Sequence, residues 1–153
     1  MNIFALSNDP ILAARWHCDK HVVKMPLEAS QILCTVVRGL GGEARYKPTH
    51  RNHPCTLWAG ECSGNYEWLV ELGLALCNEY TYRYGREHAC GEVIREISAP
   101  LPNLLRIAPR SAFTLAMPDQ YKQVDSVAAY QAYYRAEKAH LHSWKNRQPP
   151  EWL

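Results

Sequence analysis

The stretch His17-Cys18-Asp19-Lys20-His21-Val22-Val23-Lys24-Met25-Pro26-Leu27-Glu28 decides how the rest of the chain is interpreted. In a helix, its positions 17, 21, 24 and 28 fall at i, i+4, i+7 and i+11 and share one face. That face carries His17, His21, Lys24 and Glu28, whereas the apolar residues lie on another side. The pattern predicts one face for packing and one for chemistry or ligand binding. The alternative is a solvated face with a Lys24–Glu28 ion pair, although solvated faces favour Glu, Lys and Arg over paired histidines.

The composition is typical of a soluble globular protein, with 47% hydrophobic and 21% charged residues in a chain of 153. This length predicts one domain over residues 1–153, with a core that needs no disulfide or metal. A net charge of +2 is small for a nucleic-acid-binding protein, so any contact with nucleic acid must come from a local patch.

Six cysteines show neither a CxxC pair nor a zinc-finger spacing. The chain opens without a basic, then apolar, leader, and no apolar run approaches the length that a membrane span requires. We therefore expect free, mostly buried thiols, a cytoplasmic location and no membrane partner. The oligomeric state is left open.

Capping and breaking residues predict a mostly α fold, a compact single-domain helical bundle with a kinked long first helix and an irregular proline-rich strap. Ser7-Asn8-Asp9-Pro10 is a strong helix start, and the first helix is expected to run to about Arg38. Pro26 lies inside it, which predicts a kink between Lys24 and Glu28.

Four further segments follow from the same signals. We expect a second helix from residue 54 or 63 to about 86, a short helix over 89–97, a strap over 98–120 and a last helix over 125–145. Gly73 inside the second helix indicates a close approach of another helix. The end is expected to be extended, with Trp152 tucked against the body.

Residues 43–54 form a loop bounded by two prolines, and it holds the densest cationic and imidazole cluster of the chain. The cluster consists of Arg45, Lys47, His50, Arg51, Asn52 and His53. A solvated connection is one interpretation, because loops tolerate polar side chains. The two histidines beside Thr49 and Asn52 favour a site.

Two enzymatic interpretations compete. The first is a metal-free nucleic-acid enzyme without a cofactor, in which His21, Lys24, Glu28, His50 and His53 supply acid, base or electrostatic stabilisation. Phosphates would then be held by Lys20, Lys24, Arg45, Lys47 and Arg51, with Asn52 also contacting the nucleic acid. A lyase step needs an uncharged amine, for which Lys24 and the α-amine of the chain are the candidates.

The second interpretation is a nuclease or nucleotide hydrolase that uses a divalent transition metal. His17 and His21 are one helical turn apart, and His50 and His53 could complete the ligand set. The pattern lacks the glutamate of an HExxH motif, and Asp19 points away from the histidine face. A third interpretation is a non-catalytic binding protein with incidental histidines, the class to which we assign His88, His140 and His142.

From Asp19 to Leu33, and again at Arg51-Asn52-His53-Pro54 followed by Trp58, the chain resembles the pyrimidine-dimer DNA glycosylase family, which includes phage enzymes of the endonuclease V type. The Asn-His-Pro element is its most specific part. The resemblance implies a mostly helical domain that binds duplex DNA, flips out a base and cuts the glycosidic bond, as glycosylase and lyase. A different substrate class, such as a modified base, a nucleotide or RNA, is the alternative.

The resemblance also implies a set of roles. The phage enzyme acts through a threonine α-amine that Met removal exposes, together with a glutamate on its first helix. Here Met1 precedes Asn2, whose size predicts that Met is kept, and His21 stands at the position that looks equivalent to the glutamate. Glu28 could replace the carboxylate, while Lys20 and Lys24 resemble the flanking arginines.

Overall fold

Six α-helices make up the fold, which a computed structural model describes for residues 1–98 and 105–153. They are α1 (Pro10–Trp16), α2 (Asp19–Gly39), α3 (Pro54–Ala59), α4 (Ser63–Tyr84), α5 (Cys90–Ser98) and α6 (Ser126–Glu137). Two 3₁₀ turns, Asp119–Tyr121 and Ala139–Leu141, flank α6, and the described residues contain no strand. The predicted mostly α fold is confirmed.

The predicted first helix is divided into α1 and α2, because the backbone is extended at His17 and Cys18. The Cys18 N–H donates to the Tyr134 hydroxyl at 2.9 Å and not to a helical carbonyl. This bond comes from the far end of the sequence, so local signals could not reveal the break. Pro26, where a kink was predicted, lies inside a continuous α2.

Of the two starts predicted for the second helix, residue 63 is confirmed: α4 begins at Ser63, and residues 54–59 form the separate short helix α3. Gly85 caps the end of α4 with a φ of +70°, which suits glycine. The predicted short helix is confirmed as α5. The last helix ends at Glu137 and not near residue 145, because the chain turns back toward the start of α2. There Asp19 accepts hydrogen bonds from the Ser143 hydroxyl at 2.7 Å and the Lys145 N–H at 2.9 Å.

Of the strap predicted over 98–120, residues 105–118 are irregular as predicted, Ser98 ends α5, residues 119–120 lie in a 3₁₀ turn, and residues 99–104 lie outside the described residues. It packs on the start of α4, where the N–H groups of Ser63 and Gly64 donate to the carbonyls of Arg106 and Ala108 at 2.9 and 3.0 Å. The chain ends in a turn and not in an extended strand, but the Trp152 ring does pack against Trp16, 5.8 Å between centroids.

The core lies where α2, α4 and α5 meet. A Cβ added at Gly73 of α4 would stand 2.7 Å from Cδ1 of Ile94 and 3.4 Å from Cβ of Ala29, which confirms the predicted close approach. All six cysteines are free and buried, as predicted. No helix within residues 1–98 or 105–153 is long and apolar enough to cross a membrane.

The amino-terminal segment is the element that completes the polar face of α2. Residues 3–6 are buried without forming a helix or strand. Asn2 starts the segment with a local turn, since its Oδ1 accepts from the N–H groups of Ile3 and Phe4 at 2.7 and 2.9 Å. Its Nδ2 donates to the Ala116 carbonyl at 2.8 Å, so the strap holds this segment in place.

Candidate active site

Glu28 is the centre of the polar face of α2. Its carboxylate accepts from the Asn2 N–H at 2.8 Å and lies 3.9 Å from the α-amine of Met1. Lys24 Nζ lies 3.2 Å from the other oxygen of the Glu28 carboxylate, Oε1. The Lys24 side chain is 68% exposed and that of Glu28 only 10%, so the lysine covers a carboxylate that faces into the protein. The structure thus pairs a carboxylate with two amines of different exposure.

His53, from the loop after α2, lies within electrostatic range of Glu28 and of the amino terminus. It caps α3, and its Nδ1 accepts from the Cys55 N–H at 3.1 Å, which leaves the proton of the neutral ring on Nε2. Burial lowers the pKa of His53, and the positive amino terminus and His50 lower it further, whereas Glu28 acts in the opposite direction. His53 is therefore a neutral donor within electrostatic reach of the amine and of Glu28.

His50 takes part in the same loop turn but is exposed. Its carbonyl accepts from the His53 N–H at 3.0 Å, and its ring Nδ1 lies 2.7 Å from the Thr49 hydroxyl. In this turn the backbone of His50 has a positive φ of 49°. The loop is fixed to α2 by the Thr35 hydroxyl, which accepts from the Thr49 N–H at 3.1 Å.

His21 is buried one helical turn before Lys24. Its ring stacks on Phe4, with centroids 4.6 Å apart, and its Nδ1 lies 2.8 Å from the Tyr134 hydroxyl. Burial lowers its pKa to about 3, with help from His17 and from the cations Lys138 and Lys24. The structure places Glu28, and not His21, beside the amino terminus.

His17 does not share a helical face with His21, Lys24 and Glu28, because it ends α1 and precedes the break. It is fully buried, and its Nδ1 lies 2.7 Å from the Ala13 carbonyl. Burial lowers its pKa to about 4. The polar row predicted from residue 17 onward therefore begins at residue 21.

The predicted phosphate-binding residues divide into those that pair with a carboxylate, Lys24 and Arg45, and those that do not. Arg45 pairs with Glu92 and Glu96 of α5 and so has its charge compensated. The second group is exposed and has no carboxylate partner among the described residues. It consists of Lys20, Lys47, Arg51 and Asn52. Arg51 lies next to His50 and lines a pocket of about 230 Å³ between α2 and α3.

The four histidines proposed as metal ligands do not form one cluster. Across residues 1–98 and 105–153, no three side chains of the His, Cys, Asp and Glu types converge on a possible metal position. His17 and His21 are 6.2 Å apart between ring centroids, and both rings bind protein oxygens through Nδ1. His50 and His53 lie in the other loop.

Three participants escaped the sequence reasoning: Asn2, Phe4 and Tyr134. Asn2 and Phe4 belong to a segment whose only visible signal was its apolar character. Tyr134 lies more than a hundred positions from its partners Cys18 and His21. A tyrosine on a helix predicts packing, and nothing local marks a hydroxyl that orients a distant histidine.

A family model described as pyrimidine dimer DNA glycosylase matches residues 1–91 of the chain. The match covers the amino-terminal segment, helices α1 to α4 and the loop with His50 and His53, and it ends before the strap and α6. No curated protein and no solved structure gives a significant match.

Proposed function

The chain belongs to the pyrimidine dimer DNA glycosylase family, and we propose that it excises a damaged base from duplex DNA and then cleaves the abasic strand, with the α-amine as nucleophile and Glu28 as its acid–base partner. One observation carries the proposal: Glu28, under cover of Lys24, accepts from the Asn2 N–H at 2.8 Å and lies 3.9 Å from the Met1 amine. A buried carboxylate beside an amine suits proton transfer and the stabilisation of a cationic sugar.

In the proposed reaction, the uncharged amine attacks C1′ of the damaged nucleotide. The new N–C1′ bond forms as the bond from C1′ to the base breaks, and the base leaves with that electron pair and takes up a proton. Glu28 accepts the proton that the amine loses, and its negative charge stabilises the oxocarbenium-like state. Opening of the sugar ring then gives a protonated imine between enzyme and DNA.

The lyase step follows from that imine. Loss of a proton from C2′ expels the 3′ phosphate, and water then hydrolyses the imine to release the enzyme. The α-amine is favoured over Lys24 because an α-amine is the weaker base and a larger fraction of it is uncharged at neutral pH. We assign to Lys24 the role of holding the Glu28 carboxylate in position.

The remaining polar groups fit roles in substrate binding. His53 carries its proton on Nε2 and lies within electrostatic range of the amine, so it can donate a hydrogen bond to the sugar or the departing base. Contacts with the DNA backbone also fit the exposed polar side chains predicted for this role, which are Lys20, Lys47, His50, Arg51 and Asn52. Arg45 is not assigned a contact with the DNA backbone, because its guanidinium already pairs with Glu92 and Glu96.

Incubation with a duplex that carries one thymine dimer tests the proposal. We expect strand cleavage, and a covalent protein–DNA adduct when borohydride is added, because borohydride reduces the imine. Glu28→Gln keeps the shape but loses the charge and should lower the cleavage rate by about 10²-fold or more. Glu67→Gln, an exposed glutamate on α4, serves as the control and should cleave normally. The proposal would be overturned if neither strand cleavage nor a trapped adduct were found with dimer-containing duplex or with abasic duplex.

A further inference from the structure

His21 and Lys24 lie one turn apart on α2, and Lys138 lies over Phe4, the ring that stacks on His21; we call these three residues the phosphate notch. We infer that the notch binds a single DNA phosphate, with His21 as a neutral N–H donor fixed by Tyr134 and with Lys24 and Lys138 as cations. The inference deepens the proposed function, because it names a phosphate subsite partly built from α6. Lys138 and Tyr134 both lie beyond the residues that the family model matches.

The tautomer of His21 follows from the hydrogen bonds of Tyr134. The Cys18 N–H donates to the Tyr134 oxygen at 2.9 Å, and the hydroxyl proton has His21 Nδ1 at 2.8 Å. The Cys18 thiol is the other side-chain partner of this hydroxyl, and sulfur is a weaker acceptor than an imidazole nitrogen. Tyr134 therefore donates to Nδ1, which leaves the proton of the ring on Nε2.

Nε2 of His21 is available to a ligand. It makes no hydrogen bond to any of the described residues. It is also not one of the fully buried polar atoms without a partner, which belong to His17, Thr56 and Trp152. The ring is held on its flat side by Phe4, 4.6 Å between centroids. His21 can therefore present an N–H in one fixed direction.

Two lysines act on the His21 ring through their charges. Lys138 Nζ lies 5.8 Å from the centroid of Phe4 and 5.2 Å from that of Tyr133, so it sits over the aromatic stack that carries His21. No carboxylate pairs with Lys138 among the described residues, and the neighbouring Glu137 is engaged by the Tyr121 hydroxyl at 2.6 Å. Lys24 follows His21 by one turn of α2, and the one carboxylate that it faces, Glu28 at 3.2 Å, is shared with the Met1 amine at 3.9 Å, whereas Arg45 faces two carboxylates. The pKa of His21 is lowered most by its burial. It is lowered further by the positive charges of four neighbours, which in order of decreasing effect are His17, Lys138, Lys24 and His142.

This combination favours a phosphate over other ligands. Two cations and a neutral donor provide charge and hydrogen bonds for an anionic oxygen, and they offer no acceptor for a base edge. His21 and Glu28 are seven positions apart on α2, which corresponds to about 10 Å of helix. The notch is therefore separate from the proposed reaction centre but on the same helix.

Histidine-selective ¹⁵N NMR tests the notch without any need for catalysis. We expect His21 to show the single neutral form with its proton on Nε2 from pH 5 to 8. Its Nε2 signal should shift on addition of inorganic phosphate or of a duplex with a tetrahydrofuran abasic analogue, which contains no base to excise. In Tyr134→Phe the preference for one tautomer should disappear. A His21 that titrates in this range, or that ignores both probes, overturns the inference.

Salt dependence of binding to the same duplex provides the matched test of Lys138. The binding constant K falls as salt rises, and Lys138→Gln should make the plot of log K against log salt less steep by about 0.9. Lys138→Arg should restore the steeper slope. Lys122→Gln removes the same charge from a lysine that pairs with Asp119 and should leave the slope unchanged. Equal slopes for wild type and Lys138→Gln, or no binding at all, contradict the notch. A phosphate-induced shift of His21 without dimer cleavage would refute the proposed function and leave the notch standing.

Discussion

Glu28 has the setting that most clearly separates a reacting group from a helical surface residue. A glutamate at i+4 from a lysine on an open helix contributes a few tenths of a kcal/mol and points into water. Here the carboxylate faces inward and accepts from the Asn2 N–H at 2.8 Å. The sequence predicted Glu28 and Lys24 as members of one polar face, but it assigned the glutamate-like position to His21. Only the path of the amino-terminal segment shows which residue stands beside the amine.

At the same scale, His17 should make the protein sensitive to acid. Its pKa is about 4 in the folded chain and 6.5 when unperturbed, so between these values the unfolded chain binds a proton that the folded chain does not. The free energy of unfolding should therefore fall as the pH drops from 6.5 to 4, by on the order of 2 kcal/mol at pH 5 from this residue.

Urea denaturation of the wild type, His17→Phe and His140→Gln at pH 7, 6 and 5 measures this contribution. His17→Phe should lose about half of the pH dependence in this window, because the buried His21, with a pKa of about 3, contributes in the same direction. His140→Gln, which changes an exposed histidine, should keep all of it. The carboxyls of Asp19 and Glu79 add little above pH 5, since their contribution is lost only as the pH falls below the ordinary pKa values of 3.8 and 4.5. A wild-type stability that is flat from pH 7 to 5 would contradict the assignment.

At the scale of elements, the existence and type of the helices could be predicted, but their breaks could not. Caps and stops such as Asp9, Gly85 and Asp125 act on neighbouring residues and are visible in the sequence. The break at Cys18 depends on a hydroxyl from α6, and the early end of α6 depends on the return of the chain to Asp19. Such long-range contacts override local helix signals.

Two glycines of α4 should respond differently to the same substitution. A Cβ at Gly64 would overlap the backbone nitrogen of Arg110 in the strap, whereas one at Gly73 meets the flexible end of Ile94. Gly64→Ala should therefore lower the free energy of unfolding by about 3 kcal/mol or more, and Gly73→Ala by about 1 kcal/mol after the gain in helix propensity.

Thermal and urea unfolding of both variants checks this order, with Ile94→Val as the background that isolates the contact. Since valine lacks Cδ1, Gly73→Ala should cost nothing in that background. A Gly64→Ala variant as stable as the wild type would mean that the strap does not pack on α4 as described.

At the scale of the whole molecule, one buried ionic network joins the first and last parts of the chain. Arg83 is fully buried, and its guanidinium bonds to Glu79 at 2.9 Å, Asp19 at 2.9 Å and the Arg15 carbonyl at 3.0 Å. Arg147 adds a second partner to Glu79 at 2.8 Å. Although burial opposes it, hydrogen bonds from Arg147 and Arg83 hold the pKa of Glu79 below its ordinary value. The composition gave no hint of this network, because charged residues usually lie at the surface.

Removal of Arg83 should destabilise the fold more than removal of the whole pair. Arg83→Met leaves Glu79 and Asp19 short of a partner and should cost on the order of 3–5 kcal/mol of unfolding free energy. The double variant Arg83→Met/Glu79→Gln removes most of the uncompensated charge and should recover part of that loss, as denaturant midpoints will show. A double variant that is less stable than Arg83→Met would argue against this electrostatic explanation.

The account depends most on the identity of the amine that faces Glu28. The direct measurement is mass spectrometry of the peptide that carries DNA after borohydride trapping on an abasic duplex. We predict that the modification lies on the amino-terminal α-amine, and that a Gly-Ser extension ahead of Met1 abolishes trapping while the fold persists. Attachment to Lys24, or undiminished trapping by the extended chain, would contradict the central claim.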